Sequence, residues 1–148
     1  MKVPTSPYTS IQGIVYFPRM LEKIRLHDAG ELRTDLHANL GKSFDDVCCK
    51  FLGVRYADVE ARVREGLDDR QILDWCFANG SRPTEDQIKV WSEYMRKRGW
   101  NDEVSEKLAS RIEESGFGGR DDILVMFDYI DADESRPTGG AAARPAIS

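Results

Sequence analysis

The sequence has no long apolar run. Its longest uninterrupted apolar stretch, residues 123–127, has five residues, whereas a membrane-spanning helix needs about 20. Residues 1–7 also lack the apolar segment of a secretory signal. These absences predict a cytoplasmic protein that makes no contact with a membrane.

Cysteine and histidine are scarce, with three cysteines and two histidines in the chain. The odd number of cysteines, and the adjacency of Cys48 and Cys49, argue against a disulfide framework. No Cys-x-x-Cys or His-x-x-x-His pair is present to orient two zinc ligands. We therefore expect reduced thiols, no metal and no cofactor.

Basic residues do not outnumber acidic ones. The chain has 21 Lys and Arg against 26 Asp and Glu, which gives a net charge of −5. Nucleic-acid affinity depends on basic groups that replace phosphate counterions, so no nucleic-acid partner is predicted. Residues 121–134 contain six acids and no base, which is typical of a solvated face or of a docking surface for a basic partner.

Apolar residues at helical spacing, set between capping residues and glycines, dominate the rest of the chain. A length of 148 residues with 41% hydrophobic residues is sufficient for one core. The pattern predicts an all-α fold, an irregular bundle of six or seven short helices with an extended N-terminal arm over residues 1–17. Residues 1–134 form the single domain in this interpretation, and residues 135–148 form a disordered tail.

Capping residues predict where individual helices begin. A first helix is expected over 18–29, and capping boxes are expected at Ser43 and Thr84. Asp121 is predicted to open the last helix. Residues 31–42 show no sustained period and are predicted to form a long loop.

Six sequence blocks run through most of the chain. They are GIVYFPRMLEKIR from residue 13, HANLGK from 37, CCKFLGV from 48, ILDWCFANG from 72, MRKRGW from 95 and FDYIDADE from 127. In these blocks the chain resembles a family of bacterial proteins classed as a domain of unknown function. The resemblance covers nearly all of residues 10–134 and implies a bacterial origin and a single structural unit, but no activity.

The leading functional hypothesis is a small binding or regulatory domain. Loops held on rigid scaffolds tend to carry sites, so a cleft at loop 31–42 is predicted to bind a small anionic ligand or a protein. Arg19, His37 and Asn39 are the candidate binding residues, with loop anchoring as the alternative role for His37. Arg19, Lys23 and Arg25 also place positive charge along the first helix, where the alternative is a solvated face.

Two other hypotheses belong to different classes. An enzyme would use Cys49 or His37, with Asp45 or Asp46 as the candidate partner, which requires a thiol of depressed pKa in a solvent-facing pocket. A structural or assembly protein would bury aromatic surface against a second copy or another chain. Its candidate residues are Trp75, Trp91 and Trp100.

The remaining histidine and cysteines have simpler interpretations. His27 follows Ile24 by three residues and is expected near the inward face of the first helix. Cys48 and Cys76 fall in apolar stripes, where free cysteine behaves as a small buried hydrophobe.

Overall fold

The computed structural model describes residues 1–138, and these residues are predominantly helical, which confirms the predicted all-α class. No helix in residues 1–138 is both long enough and apolar enough to cross a bilayer. A two-stranded antiparallel hairpin precedes the helices. The elements are β1 (Ser10–Ile11), β2 (Ile14–Val15), α1 (Phe17–Asp28), a 3-10 helix (Thr34–Asn39), α2 (Phe44–Leu52), α3 (Tyr56–Arg64), α4 (Asp69–Asn79), α5 (Glu85–Arg96), α6 (Ser105–Glu114) and α7 (Met126–Asp133).

Local capping chemistry sets some helix boundaries and not others. Thr84 and Gln87 form the predicted capping box of α5, with each side chain bonded to the other's backbone N–H. The capping box predicted at Ser43 is wrong. Ser43 has φ 54° and its side chain makes no capping hydrogen bond, because the chain enters α2 through a left-handed turn.

Two further predictions differ from the structure. The segment predicted as a loop at 31–42 contains the 3-10 helix. The last helix begins at Met126 rather than Asp121. The Met126 N–H donates to the Arg98 carbonyl oxygen at 2.8 Å, and the Leu124 N–H donates to Asp128 Oδ2 at 3.0 Å. These contacts hold the preceding residues out of the helix.

The core is built around α1, with α7 packed near its start. Phe127 is fully buried, and three aromatic rings from other segments surround it at centroid distances of 5.2 to 6.2 Å. They belong to Tyr8, Tyr16 and Phe44. Since Tyr8 and Tyr16 come from the N-terminal arm, the arm is part of the core.

The N-terminal arm and the end of α7 are tied together by polar contacts. Arg136 pairs with Asp131 at 3.1 Å and Glu134 at 2.6 Å, and it donates to the Pro4 carbonyl oxygen. Arg136 belongs to the segment predicted as a disordered tail, so the ordered unit includes it. The rest of that prediction, residues 139–148, lies outside the described residues.

Candidate binding cleft

A cleft of about 400 Å³ opens between the segment 35–44, α1 and the three C-terminal helices. This volume is within the range of sites that enclose small molecules. Part of the lining of the cleft is apolar and aromatic, and the residues that provide it come from four segments, namely the residue before α1, α2, α5 and α7. They are Tyr16, Phe44, Met95, Met126 and Tyr129.

Three exposed cations stand at the edge of the cleft, namely Lys42, Lys107 and Arg111, here called the rim cations. Lys107 and Arg111 are four residues apart in α6, so their side chains lie on the same face of the helix. Within residues 1–138, none of the three forms an ion pair.

The acids that line the cleft pair with arginines. Asp35 and Asp133 both pair with Arg33, at 2.6 and 2.5 Å. Glu134 pairs with Arg19, which lines the same cleft. The lining acids are therefore engaged by arginines, and none of them pairs with a rim cation within residues 1–138.

The Arg19–Glu134 pair is almost completely buried. The guanidinium donates to both carboxylate oxygens, at 2.8 and 2.6 Å, and the side chains are 4% and 1% exposed. Arg19 also donates to the Thr5 carbonyl oxygen at 3.0 Å. This bidentate pair fixes the end of α7 against α1.

A second buried group, here called the Lys23 cluster, consists of Tyr16, Lys23 and Asp45. Lys23 Nζ donates to Asp45 Oδ1 at 2.7 Å and to the Tyr16 hydroxyl at 3.0 Å. The Tyr16 hydroxyl donates to Asp45 Oδ1 at 2.7 Å, and the Gly41 N–H donates to Asp45 Oδ2 at 2.9 Å. Lys23 and Tyr16 both line the cleft.

Burial changes the acid–base behaviour of this cluster. Burial lowers the pKa of the Lys23 amine, and the Asp45 carboxylate opposes that change. Burial and the Asp45 charge raise the pKa of the Tyr16 hydroxyl well above its ordinary value. The side chains of the Lys23 cluster thus hydrogen-bond to one another and are almost inaccessible to water.

The backbone of Tyr16 adopts a strained conformation, and its hydroxyl lies in the Lys23 cluster. Tyr16 has φ 74° and ψ −29° at the start of α1, a left-handed conformation that costs a non-glycine residue about 1–3 kcal/mol. Its N–H donates to the carbonyl oxygens of Pro7 and Thr9 at 3.1 and 3.3 Å. The hairpin therefore holds Tyr16 in this conformation, with its ring in the core and its hydroxyl beside Lys23.

Of the predicted binding residues, Arg19 and Asn39 line the cleft, while His37 does not. His37 Nε2 lies 2.9 Å from the Leu32 carbonyl oxygen, and its ring packs edge-on against His27 at 4.9 Å. His37 thus has the loop-anchoring contacts named as its alternative role. The predicted inward position of His27 is wrong, because the residue is exposed.

The thiols lie in the core. Cys49 is 3% exposed, and its Sγ is 3.8 Å from Met20 Sδ. Burial raises the pKa of the Cys49 thiol to about 12, which disfavours the thiolate that a nucleophile needs. Because His37 packs on His27 instead, the geometry gives the Cys49–His37 hypothesis no support. In residues 1–138 no cluster of three or more His, Cys, Asp or Glu is arranged for a metal ion.

The three tryptophans occupy different environments. Trp91 is 7% exposed and stacks on Phe51 at 4.7 Å, Trp75 lies beneath the Arg62 guanidinium, and Trp100 is 65% exposed. The three tryptophans therefore share no exposed face on which the predicted assembly surface could form.

The model of a domain of unknown function, DUF5069, matches residues 1–136 of the chain. The chain belongs to the DUF5069 family. No curated protein matches it. The matched region extends past Glu134, the last residue that lines the cleft. The whole cleft is therefore part of the DUF5069 domain.

Sequence reasoning missed part of the DUF5069 cleft. Lys42, Lys107 and Arg111 had no signal of their own, because solvated cations on helices and loops look alike in sequence. Lys23 does have a sequence signal, since it lies between Met20 and Ile24 on the apolar side of α1. The sequence also grouped Arg25 with Lys23. In the structure Arg25 is not among the residues that line this cleft, and it pairs with Asp69 at 2.6 Å.

Proposed function

We propose that this DUF5069 protein is a binding module whose cleft takes a small organic anion with an apolar or aromatic body. The observation that carries the proposal is that three rim cations without ion pairs within residues 1–138 line the same cleft as an apolar surface, here called the floor, made by Phe44, Met95, Met126 and Tyr129. A ligand of this kind satisfies both parts of the cleft at once.

The charge balance favours an anion over a neutral or cationic ligand. Each acid that lines the cleft already has an arginine partner. Arg98, a further lining cation, pairs with Asp102 at 3.0 Å and Glu103 at 3.1 Å. The rim cations are left to attract a negative group, and a cleft with low-dielectric walls strengthens that attraction.

The floor favours an organic ligand over an inorganic ion. Rings and thioethers from Phe44, Tyr129, Met95 and Met126 form its surface, and covering apolar area yields about 25 cal/mol per Å². An inorganic anion at the rim would leave this apolar surface exposed to water. The concave shape of the cleft also suits a small molecule better than a flat protein surface.

The test is calorimetric titration with 3-phenyllactate, which joins a carboxylate to a phenyl ring. We expect saturable binding at one site per chain. The double variant Lys107→Glu/Arg111→Glu is expected to weaken binding about tenfold, because reversing two exposed charges removes on the order of 1–2 kcal/mol. Inorganic phosphate is expected to bind more weakly than 3-phenyllactate, because it cannot cover the floor.

The matched control is Arg82→Glu/Lys89→Glu. It makes the same change in composition at exposed positions that do not line the cleft. Equal weakening in both double variants would show that only overall charge matters, and the proposal would then be wrong. Absence of binding in the wild-type protein would also contradict it.

A further inference from the structure

The Lys23 cluster is not required to hold an anion at the rim, yet it lies on the wall of the same cleft. Resting on the proposed function, we propose that the ligand is a 2-oxo acid with an apolar side chain, and that the Lys23 amine forms a reversible imine with its carbonyl carbon. The carboxylate would face the rim cations, and the side chain would lie on the apolar floor.

The first support is the position of the amine. Lys23 is one of the residues that line the cleft, although its side chain is only 5% exposed. Two of its three N–H groups are directed to Asp45 and Tyr16, so the nitrogen is held in one place. An amine held in one place beside a binding cleft has less freedom to lose when a bound carbonyl comes within reach.

The second support is the position of Lys42. The Gly41 N–H binds the same Asp45 carboxylate that holds Lys23, so the chain passes the cluster one residue before Lys42. The backbone of the rim cation Lys42 therefore lies close to the Lys23 cluster. The carboxylate and carbonyl of a 2-oxo acid are adjacent groups, so such a ligand calls for a cation in the neighbourhood of the amine.

The third support is that the cluster can move the required protons. Asp45 accepts a proton from the Lys23 ammonium, and the neutral nitrogen then adds to the carbonyl carbon. The Tyr16 hydroxyl, 3.0 Å from Nζ, gives a proton to the carbonyl oxygen and regains one from Asp45. After the C–N bond has formed, the nitrogen releases a second proton, which follows the same route through Asp45 and Tyr16, and the oxygen leaves as water. Burial already lowers the pKa of the Lys23 amine, which favours the neutral form.

The step balances without an oxidant or a reductant. A C–N bond forms, the carbonyl C–O bond breaks, and the oxygen leaves as water. One ammonium and one ketone give one iminium ion and one water, so the total charge is unchanged. The iminium ion remains beside the Asp45 carboxylate, which pairs with it as it paired with the ammonium.

The strained backbone of Tyr16 is consistent with this role. Left-handed non-glycine residues concentrate at sites where geometry must be fixed, and here the strain places the Tyr16 hydroxyl between Lys23 and Asp45. A structural ion pair alone would not need a third proton-carrying group. The tyrosine gives the cluster a donor for the oxygen that departs.

The experiment is reductive trapping with phenylpyruvate and cyanoborohydride, followed by mass spectrometry of the intact chain and its peptides. Reduction of the imine adds the mass of the acid less one oxygen atom. We expect one adduct per chain, located at Lys23 and formed ahead of any at the exposed Lys89. Excess 3-phenyllactate, which has a hydroxyl group in place of the ketone, is expected to suppress the adduct.

The variant Lys23→Arg keeps the charge but cannot form an imine. It is expected to lose the adduct, and its urea unfolding transition, compared with that of the wild-type protein, reports whether it is folded. Adducts that form first at Lys89 or are spread over exposed lysines would overturn the inference. If 3-phenyllactate binds and Lys23 is not labelled, only the imine is wrong; if 3-phenyllactate does not bind, the proposed function fails.

Discussion

Replacing Glu134 with glutamine is expected to destabilise the protein by about 3–5 kcal/mol. The substitution keeps the size of the side chain and removes the charge, which leaves the Arg19 guanidinium buried without a counter-ion. The Arg19–Glu134 pair is 4% and 1% exposed, so water cannot replace the lost carboxylate. The free energy of unfolding, measured by urea denaturation, reports the loss.

The matched control for this variant is Asp46→Asn. Asp46 pairs with Lys50 at 2.8 Å, but these side chains are 48% and 75% exposed, and exposed pairs contribute about 0–1 kcal/mol. The double variant Arg19→Met/Glu134→Leu should recover part of the stability, because it leaves no unpaired charge. If Glu134→Gln costs no more than Asp46→Asn, the pair is not buried as described.

Replacing Phe127 with alanine is expected to cost about 3–5 kcal/mol, because it opens a cavity at the centre of the core. Phe127 is fully buried and contacts rings from the N-terminal arm and from α2. Thermal and urea unfolding measure the change. A second expected effect is loss of ligand affinity, since Phe44 packs on Phe127 and also lines the cleft.

Leu124→Ala is the control for this second variant. Leu124 is 46% exposed, and substitutions at exposed positions usually change stability by about 0.5 kcal/mol or less. Both variants shorten an apolar side chain in the same region of the sequence. A loss in Phe127→Ala comparable to that in Leu124→Ala would contradict the central position of Phe127.

The elements that sequence predicted well are those fixed by neighbouring residues. The Thr84–Gln87 capping box joins two residues that are three positions apart, so its signal is contained in four letters of sequence. Apolar spacing places Met20 and Leu21 inward in the same way. Local chemistry was sufficient for the fold class.

The elements that sequence missed depend on distant contacts. The late start of α7 follows from the Met126 N–H bond to the Arg98 carbonyl oxygen, which no local pattern reveals. Ser43 fails as a cap because its backbone is left-handed. Such conformations are set by how the connected elements dock, and glycine is the only residue whose sequence signal marks them clearly.

The candidate site illustrates the same division. Arg19 and Asn39 were found because one carries charge on the first helix and the other lies in a segment without apolar period. The α6 side of the cleft was missed, since its cations face residues far away in sequence. The mutual contact of His27 and His37 could be seen only in three dimensions.

The central claim is that one cleft binds a small organic anion, and an NMR titration of labelled wild-type protein with 3-phenyllactate tests it most directly. The account predicts saturable backbone amide shifts concentrated at Asn39, Ser43 and Lys107, with none at Asp74 or Lys89, which do not line the cleft. Shifts scattered over exposed lysines, or clustered away from these three residues, would contradict it.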